Sequence, residues 1–138
     1  MSRIVYVDIA GKQYPMSFSL GASKRMIEKY GSAEKMTAQL KKPGKDAEKI
    51  DVILEMLELL IAQGCAYKNY FEKDIPAPDN APIVEGKWTP LPKDALSIAI
   101  GVYDIEELAG KIQECVSKGG TKEVEAKPEG KNANATQG

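Results

Sequence analysis

Four acidic residues lie along the most apolar stretch of the sequence, two just before it and two within it. Of all the residues in the chain, they come nearest to a catalytic or metal-binding pattern. They are Glu48, Asp51, Glu55 and Glu58. Carboxylates at positions i, i+3 and i+7 share one face of a helix, where their oxygens could bind a hard cation. Dinuclear carboxylate sites in helical bundles normally add histidine ligands, and the sequence contains no histidine. The pattern therefore favours a solvated acidic face, and a small enzyme that uses carboxylates or a metal is the less favoured alternative.

Other chemistries find no support in the residue types present. Without histidine, the Ser–His and Cys–His pairs of nucleophilic enzymes cannot form. Cys65 and Cys115 are too few for a structural zinc site and form no CxxC motif, so we expect two half-buried thiols rather than a disulfide. The phosphate-binding patterns GxxxxGKS/T and GxGxxG are absent. We therefore expect no catalysis, no cofactor and no metal.

Composition limits the partners to be expected. Lysine and arginine total 19, and aspartate and glutamate total 20, whereas a nucleic-acid-binding protein usually has an excess of basic residues on one face. The longest apolar stretch, residues 52–62, is interrupted by Glu55 and Glu58 and is too short to span a bilayer. The first ten residues do not read as a signal peptide. We therefore expect no nucleic-acid or membrane partner and a cytoplasmic location.

Residues 1–20 predict a β-hairpin. Apolar residues alternate in the first strand, with Val5, Val7 and Ile9 on one face. Pro15 in the return strand is typical of an edge strand or a bulge, because proline cannot donate to a central ladder. Since an isolated hairpin is only marginally stable, we expect it to pack on the helices that follow and to offer its outer strand to another copy.

The remaining chain is predicted to be helical, apart from one loop and a tail. Apolar residues recur at intervals of three and four, which is the period of amphipathic helices. Asp46 is expected to start the longest helix and Gly64 to end it. The fold class is therefore mostly α (α+β), a hairpin packed on a bundle of five or six helices. The predicted boundaries are one domain over 1–117, with helices over 21–73, a proline-rich loop over 74–92, helices over 93–117 and a flexible tail over 118–138.

Seven apolar or aromatic side chains are candidates for binding a partner protein. They are Val52, Met56, Leu59, Tyr67, Tyr70, Phe71 and Trp88. The first three widen the apolar side of the central helix to an arc of roughly 220° on a wheel of 100° per residue, so part of it could face a partner. The four aromatic residues flank the proline-rich loop, and aromatic residues are enriched at interfaces. The alternative for all seven is that they complete the core.

The order of the motifs along the chain is itself informative. Residues 9–22 read IxGKxYPxxFSxGA, where x is any residue, and lead into RMIEKYGS. The apolar run IDVILEMLELLIAQG ends at Gly64, and Tyr103 begins a later segment that reads Tyr-Asp-x-Glu-Glu-Leu. Over residues 4–117 this arrangement resembles the tail assembly chaperones encoded by long-tailed phages and prophages of Gram-positive bacteria.

The resemblance implies a function without chemistry. Proteins of this family coat the long, hydrophobic tape measure protein and keep it soluble while tail tube subunits polymerise around it. The implied partners are the tape measure protein, the tail tube protein as a further candidate, and other copies of the chain in a homo-oligomer. The implied location is the host cytoplasm and not the mature virion. The alternative is a non-catalytic phage structural or adaptor protein, such as a minor tail or connector component, that stays in the particle.

The resemblance also implies a second product of the gene. The family often makes a longer form by programmed ribosomal frameshifting near the end of the shorter reading frame. Lys131-Asn132 after Gly130 can be encoded as GGA AAA AAC, which contains the slippery heptamer A AAA AAC. Any Lys-Asn pair permits those codons, so the gene sequence decides whether this prediction holds.

Overall fold

The computed structural model describes residues 3–120, and its first element is a β-hairpin. Strand β1 (Val5–Ile9) pairs antiparallel with strand β2 (Lys12–Met16). The connecting residues Ala10 and Gly11 both have positive φ angles, 52° and 81°. A two-residue turn of this kind matches the right-handed twist of the strands, which explains why glycine occupies its second position.

One face of the hairpin packs into the core, and one of its edges forms a hydrogen bond with the proline-rich loop. Its inward-facing side chains are buried, as predicted: Val5, Val7 and Ile9. On the outer edge of β2, the Gln13 amide donates to the carbonyl oxygen of Asn80 at 2.9 Å. Pro15 lies two residues further along β2, so its backbone nitrogen also points to this outer edge. Its missing N–H therefore removes no hydrogen bond from the β1–β2 ladder. Part of the β2 edge is thus occupied by this chain, and pairing of the hairpin with another copy stays a prediction.

Five α-helices follow within the described residues, so a mostly α-helical fold with an N-terminal hairpin is confirmed. They are α1 (Leu20–Tyr30), α2 (Ala33–Lys41), α3 (Ala47–Phe71), α4 (Lys93–Ala99) and α5 (Ile105–Gly120). The side chains of Ser19, Ser32 and Asp46 cap the first three by accepting a hydrogen bond from the amide three residues later. A single 3₁₀ turn, Val102–Asp104, joins α4 to α5.

The predicted end of the central helix at Gly64 is wrong, because α3 continues to Phe71. Gly64 is buried against the hairpin, and a Cβ atom built on it would lie 2.1 Å from the carbonyl oxygen of Pro15. One turn earlier, the Leu60 carbonyl accepts a hydrogen bond of 3.0 Å from the Ser17 amide. The glycine therefore lets the hairpin backbone lie directly on the helix backbone and does not end the helix.

Helix α5 extends three residues beyond the predicted end of the domain at residue 117. Its last turn lies against Phe18, because a Cβ atom built on Gly119 would be 2.5 Å from the Phe18 carbonyl oxygen. Residues 118–120 therefore belong to the folded domain. The rest of the predicted tail, including Lys131-Asn132, lies outside the described residues.

The core surrounds α3, which packs against β2 and against the other four helices. Its fully buried apolar side chains include Met16, Met26, Met36, Leu40, Ile53, Leu57, Leu60, Leu96 and Ile112. Cys65 and Cys115 are free thiols and are fully buried rather than half-buried as expected. Burial raises the pKa of each thiol to about 12, so both stay protonated at neutral pH.

Among residues 3–120, one charged side chain is buried in this core. Lys49, in the first turn of α3, is only 2 % exposed. Its Nζ donates to the Lys42 carbonyl oxygen at 2.9 Å and to Glu106 Oε2 at 3.1 Å. The ammonium group thereby joins the end of α2, the start of α3 and the start of α5. Such a buried charge is tolerated only with partners of this kind.

Candidate partner-binding surface on the long helix

The seven candidate residues divide between the core and the surface. The side chains of Val52, Met56 and Trp88 are buried in the core. Val52 and Met56 are covered by the elements that pack against α3. Leu59 is half-buried. The other three are exposed, with accessible fractions of 42 % for Tyr67, 76 % for Tyr70 and 73 % for Phe71. The last turns of α3 are therefore where the predicted residues reach the surface together.

The exposed rings of Tyr67, Tyr70 and Phe71 form one cluster, which we call the aromatic end of α3. The ring centroids of Tyr67 and Phe71 lie 5.2 Å apart, and those of Tyr70 and Phe71 lie 6.2 Å apart, each pair tilted by 45°. Tilted rings at these distances attract one another through their quadrupoles. Ile75, just after the helix, is 59 % exposed. Contiguous apolar side chains on a surface are typical of a site that binds another protein.

Two residues between these aromatic side chains fix the helix to the rest of the domain. The Nζ of Lys68 lies 5.3 Å from the ring centroid of Tyr6 and 5.3 Å from that of Trp88, and 2.7 Å from Glu72 Oε1. Burial by itself would lower the pKa of Lys68, but hydrogen bonding to Glu72 and Tyr6 outweighs it and the pKa is raised. The side chain therefore stays charged, and it contacts the hairpin through Tyr6 and the loop through Trp88.

Asn69 attaches the proline-rich loop to α3. Its Nδ2 donates to the Trp88 carbonyl oxygen at 2.9 Å, and its Oδ1 accepts from the Trp88 amide at 3.0 Å. Trp88 belongs to a second, minimal hairpin that the sequence did not predict, with strands β3 (Ile83–Val84) and β4 (Lys87–Trp88). Its turn residues, Glu85 and Gly86, again both have positive φ. The aromatic end is thus carried by a helix that is attached both to the first hairpin, through Lys68, and to the loop, through Lys68 and Asn69.

A groove between α1 and α3 adds a second apolar element to this side of the molecule. Its volume is about 740 Å³. Its apolar lining consists of Met26 and Met56, which are buried beneath it, and Leu59 and Ala62, which are half-buried. Its charged lining consists of Arg25, Lys29, Glu55, Glu58 and Lys93. Met26 and Ala62 were not predicted, although both lie at helical spacing from apolar neighbours.

Glu55 organises the charged wall of this groove. Its carboxylate accepts hydrogen bonds from Tyr30 Oη at 2.7 Å, Lys29 Nζ at 3.0 Å and Lys93 Nζ at 3.3 Å. Burial would raise the pKa of Glu55, but the hydrogen bonds from Tyr30, Lys29 and Lys93 outweigh it and the pKa is lowered. Burial and the bond to Glu55 raise the pKa of Tyr30 well above its usual range. Three elements thus meet at one ionised carboxylate.

The prediction of a wholly solvated acidic face is therefore only half right. Glu48 and Asp51 are exposed, whereas Glu55 and Glu58 are partly buried. Glu58 Oε2 accepts from the Lys93 amide at 2.9 Å, which satisfies an N–H group at the start of α4. The inner half of the acidic series holds α1 and α4 against α3.

The groove and the aromatic end lie along the same side of α3. On a wheel of 100° per residue, Leu59, Gln63, Tyr67 and Tyr70 fall within about 80° of one another. Eleven residues separate Leu59 from Tyr70, which at 1.5 Å per residue is about 16 Å. This length corresponds to about three turns of a partner helix, and an amphipathic helix in a groove is a common mode of recognition.

Two searches of residues 3–120, one for metal-binding groups and one for membrane-spanning helices, gave no candidate. Within residues 3–120 there is no group of three Cys, Asp or Glu side chains placed to hold a metal. No helix in that range combines the length and the apolar character needed to cross a membrane. Comparison of the chain with models of known protein families, with curated proteins and with solved structures finds no match in any of the three.

Proposed function

We propose that this protein is a tail assembly chaperone of a long-tailed phage or prophage, which binds the tape measure protein during tail assembly in the host cytoplasm. The observation that carries the proposal is the aromatic end of α3, three adjacent exposed rings in line with an apolar groove. A surface of this kind suits a long, apolar, helical partner. The motif resemblance over residues 4–117 supplies the identity of that partner, and the tail tube protein is a further candidate.

The proposed binding mode follows from the shape and chemistry of the surface. One apolar stripe of a tape measure helix lies in the groove over Leu59 and continues onto Tyr70 and Phe71. Burying each of these aromatic side chains contributes about 1.5–3 kcal/mol, and aromatic residues commonly dominate interface energetics. Arg25, which is exposed, lines the groove and forms no ion pair within residues 3–120, can pair with acidic residues that flank the apolar stripe.

Co-expression with the tape measure protein from the same gene neighbourhood tests the proposal. The readouts are the fraction of tape measure protein that stays soluble and the amount that co-purifies with the chaperone. The double variant Tyr70→Ser/Phe71→Ser should lower co-purification at least about tenfold, the effect of losing more than 1.4 kcal/mol of binding energy. Because both side chains are exposed, the variant should fold.

The matched control is Tyr103→Ser, which removes an aromatic ring that is 98 % exposed on a different part of the surface. It should leave co-purification unchanged. If the tape measure protein stays insoluble and unbound with the wild-type chain, the chaperone proposal fails. Detection of the protein by mass spectrometry of purified virions would then favour the structural or adaptor alternative, since a chaperone is absent from the particle.

A further inference from the structure

A cleft lies between strand β1 and the start of α5, and we call it the acidic cleft. Its volume is about 240 Å³. Three carboxylates line it, those of Asp8 in β1, Asp104 in the 3₁₀ turn and Glu107 in α5, together with apolar residues that include Ile100. Negative charge around a cavity attracts a cationic ligand and repels an anionic one. The cleft therefore suits a positively charged group rather than a phosphate.

The three carboxylates of the acidic cleft are not neutralised within the described residues. Over residues 3–120, none of them has a lysine or arginine within ion-pair distance, and all three side chains are exposed. Asp104 accepts one hydrogen bond, from the Gly101 amide at 2.9 Å. The neighbouring Glu106 differs, because its partner is the buried Lys49 and it lies outside the cleft lining. Within the same residues the three carboxylates belong to no group placed to hold a metal ion, so an ammonium or guanidinium group is the better fit.

Strand β1 also has an unpaired edge, at Asp8. The two-residue turn makes Ile9 and Lys12 a hydrogen-bonded pair, and hydrogen-bonded and non-hydrogen-bonded pairs alternate along an antiparallel ladder. The N–H and C=O groups of Asp8 therefore point away from β2. Over residues 3–120 they make no hydrogen bond to the backbone of another element. An edge of this kind can accept an added strand from another protein.

An apolar cavity adjoins the acidic cleft, and we call it the apolar notch. Its volume is about 140 Å³, and its lining includes Ile53, Val102 and Ile105. Ile100 lines both cavities, so they are neighbours. An apolar cavity of about 150 Å³ can hold a benzene-sized group, so the notch has room for one apolar side chain. Val102 is 63 % exposed, so the notch opens to the surface.

We propose that the acidic cleft and the apolar notch together bind an extended segment of a partner protein that carries an apolar side chain close to a lysine or arginine. The segment pairs with the edge of β1 at Asp8, its basic side chain enters the cleft and its apolar side chain enters the notch. Charge complementarity selects this occupant. Neither cavity shares a lining residue with the groove between α1 and α3, so the proposal does not depend on the binding of a tape measure protein.

Titration of the ¹⁵N-labelled full chain with a short peptide, followed by NMR, tests the proposal. The probe is acetyl-Thr-Leu-Thr-Arg-Thr-amide, because residues two apart on a strand project to the same side. It should shift the amide signals of Asp8, Ile100 and Glu107 in a saturable way, with a Kd below about 1 mM. Peptides with glycine in place of leucine, or glutamine in place of arginine, should bind at least about tenfold more weakly. The absence of saturable shifts up to about 5 mM, or equal binding of the glutamine peptide, would overturn the proposal.

Substitutions in the protein test the two cavities separately. Asp8→Asn/Glu107→Gln, which removes two charges and keeps the side-chain shapes, should weaken binding of the leucine–arginine peptide at least about tenfold. Asp79→Asn/Glu34→Gln makes the same change at exposed positions outside both cavities and should bind like the wild type. Val102→Ser should reduce the difference in affinity between the leucine and glycine peptides. All these side chains are exposed, so the variants should fold, and their spectra check this. Unchanged binding by Asp8→Asn/Glu107→Gln would contradict the assignment of the cleft.

The same titrations distinguish other occupants and separate this inference from the proposed function. If the Asp8 and Glu107 signals shift when the protein is diluted without peptide, a second copy of the chain occupies the cavities. If signals of residues 121–138 shift when peptide is added, the chain's own end occupies them. Either result would overturn the proposal. Tyr70→Ser/Phe71→Ser should bind the peptide like the wild type, because both rings lie outside the two cavities, so loss of binding to the tape measure protein and loss of peptide binding can be told apart.

Discussion

Replacing Gly64 with alanine should destabilise the protein, against the usual effect of that substitution in a helix. In an exposed helix interior, alanine is about 1 kcal/mol more favourable than glycine. At Gly64 the new Cβ atom would lie 2.1 Å from the Pro15 carbonyl oxygen, 2.4 Å from its carbonyl carbon and 2.9 Å from the Met16 nitrogen. Real Cβ atoms essentially never approach closer than 3.0 Å, so the hairpin must move away by about 0.9 Å.

That movement affects two interactions. It lengthens the hydrogen bond of 3.0 Å between the Ser17 amide and the Leu60 carbonyl, and it loosens the packing of Met16, which is fully buried. Overpacking that forces side chains and backbone to shift costs typically about 1–3 kcal/mol, and occasionally more. Because the atoms in contact are backbone atoms, we take the upper end of that range, about 3 kcal/mol; less the helical gain of about 1 kcal/mol from alanine, we expect a net loss of about 2 kcal/mol in the free energy of unfolding.

Urea unfolding followed by circular dichroism measures this loss. With an m value of about 1.5 kcal/mol/M, the midpoint should fall by about 1.3 M. Gly110→Ala is the control, because Gly110 lies within α5 and a Cβ atom on it meets nothing within 4 Å. That variant should be slightly more stable than the wild type. If Gly64→Ala were as stable as Gly110→Ala, the direct contact between hairpin and helix would be wrong.

Three further predictions concern the titratable groups. The pKa values of Cys65 and Cys115 are raised to about 12, so few of these thiols are in the reactive thiolate form at pH 8. Alkylation of the two cysteines, measured by the mass of the protein, should therefore be more than about 100-fold slower in the native protein than in urea. Because the pKa of Glu55 is lowered from 4.5, its contribution to stability is present above pH 4.5 and lost as pH falls through the native pKa, so Glu55→Gln should flatten the acid limb of stability against pH. Lys49→Ala should lower the free energy of unfolding in urea by about 3 kcal/mol, and Lys49→Met, which keeps the apolar packing, by less. Rapid alkylation of the native protein would contradict the burial of the two thiols. An unchanged acid limb in Glu55→Gln would contradict the hydrogen bonds to Glu55, and full stability of Lys49→Ala would contradict the contacts of the Lys49 ammonium group.

Local patterns were sufficient to predict most of the elements. The alternation of Val5, Val7 and Ile9 marks a half-buried strand, and Ser32 and Asp46 cap helices as their side-chain chemistry requires. These signals depend on a few neighbouring residues, so they can be read from a single sequence. The Val-Glu-Gly-Lys stretch before Trp88 holds a similar signal for the second hairpin, since a two-residue turn with glycine joins short strands there.

The errors arise where a residue serves a distant part of the chain. Gly64 matches the signal for a helix end. Its actual role is to leave room for the backbone of the hairpin, nearly fifty residues earlier, because any Cβ atom at this position would collide with Pro15. Met56 and Val52 could face a partner on the helical wheel, yet packing of the other elements around α3 buries them. Glu55 resembles a solvated acid, but Tyr30 and Lys93 approach it only in the folded chain. Sequence spacing alone carries no information about such contacts.

The position of Trp88 gives the protein an intrinsic spectroscopic reporter. It is the only tryptophan in the chain and is 9 % exposed, with the Lys68 ammonium group over its ring and Asn69 holding its backbone. Its fluorescence should therefore be shifted to shorter wavelengths than that of a solvated indole. A ligand that moves Lys68 or Asn69, the two residues between Tyr67 and Tyr70, would change that emission. Occupancy of the aromatic end could thus be followed in real time on unlabelled protein with a tryptophan-free ligand.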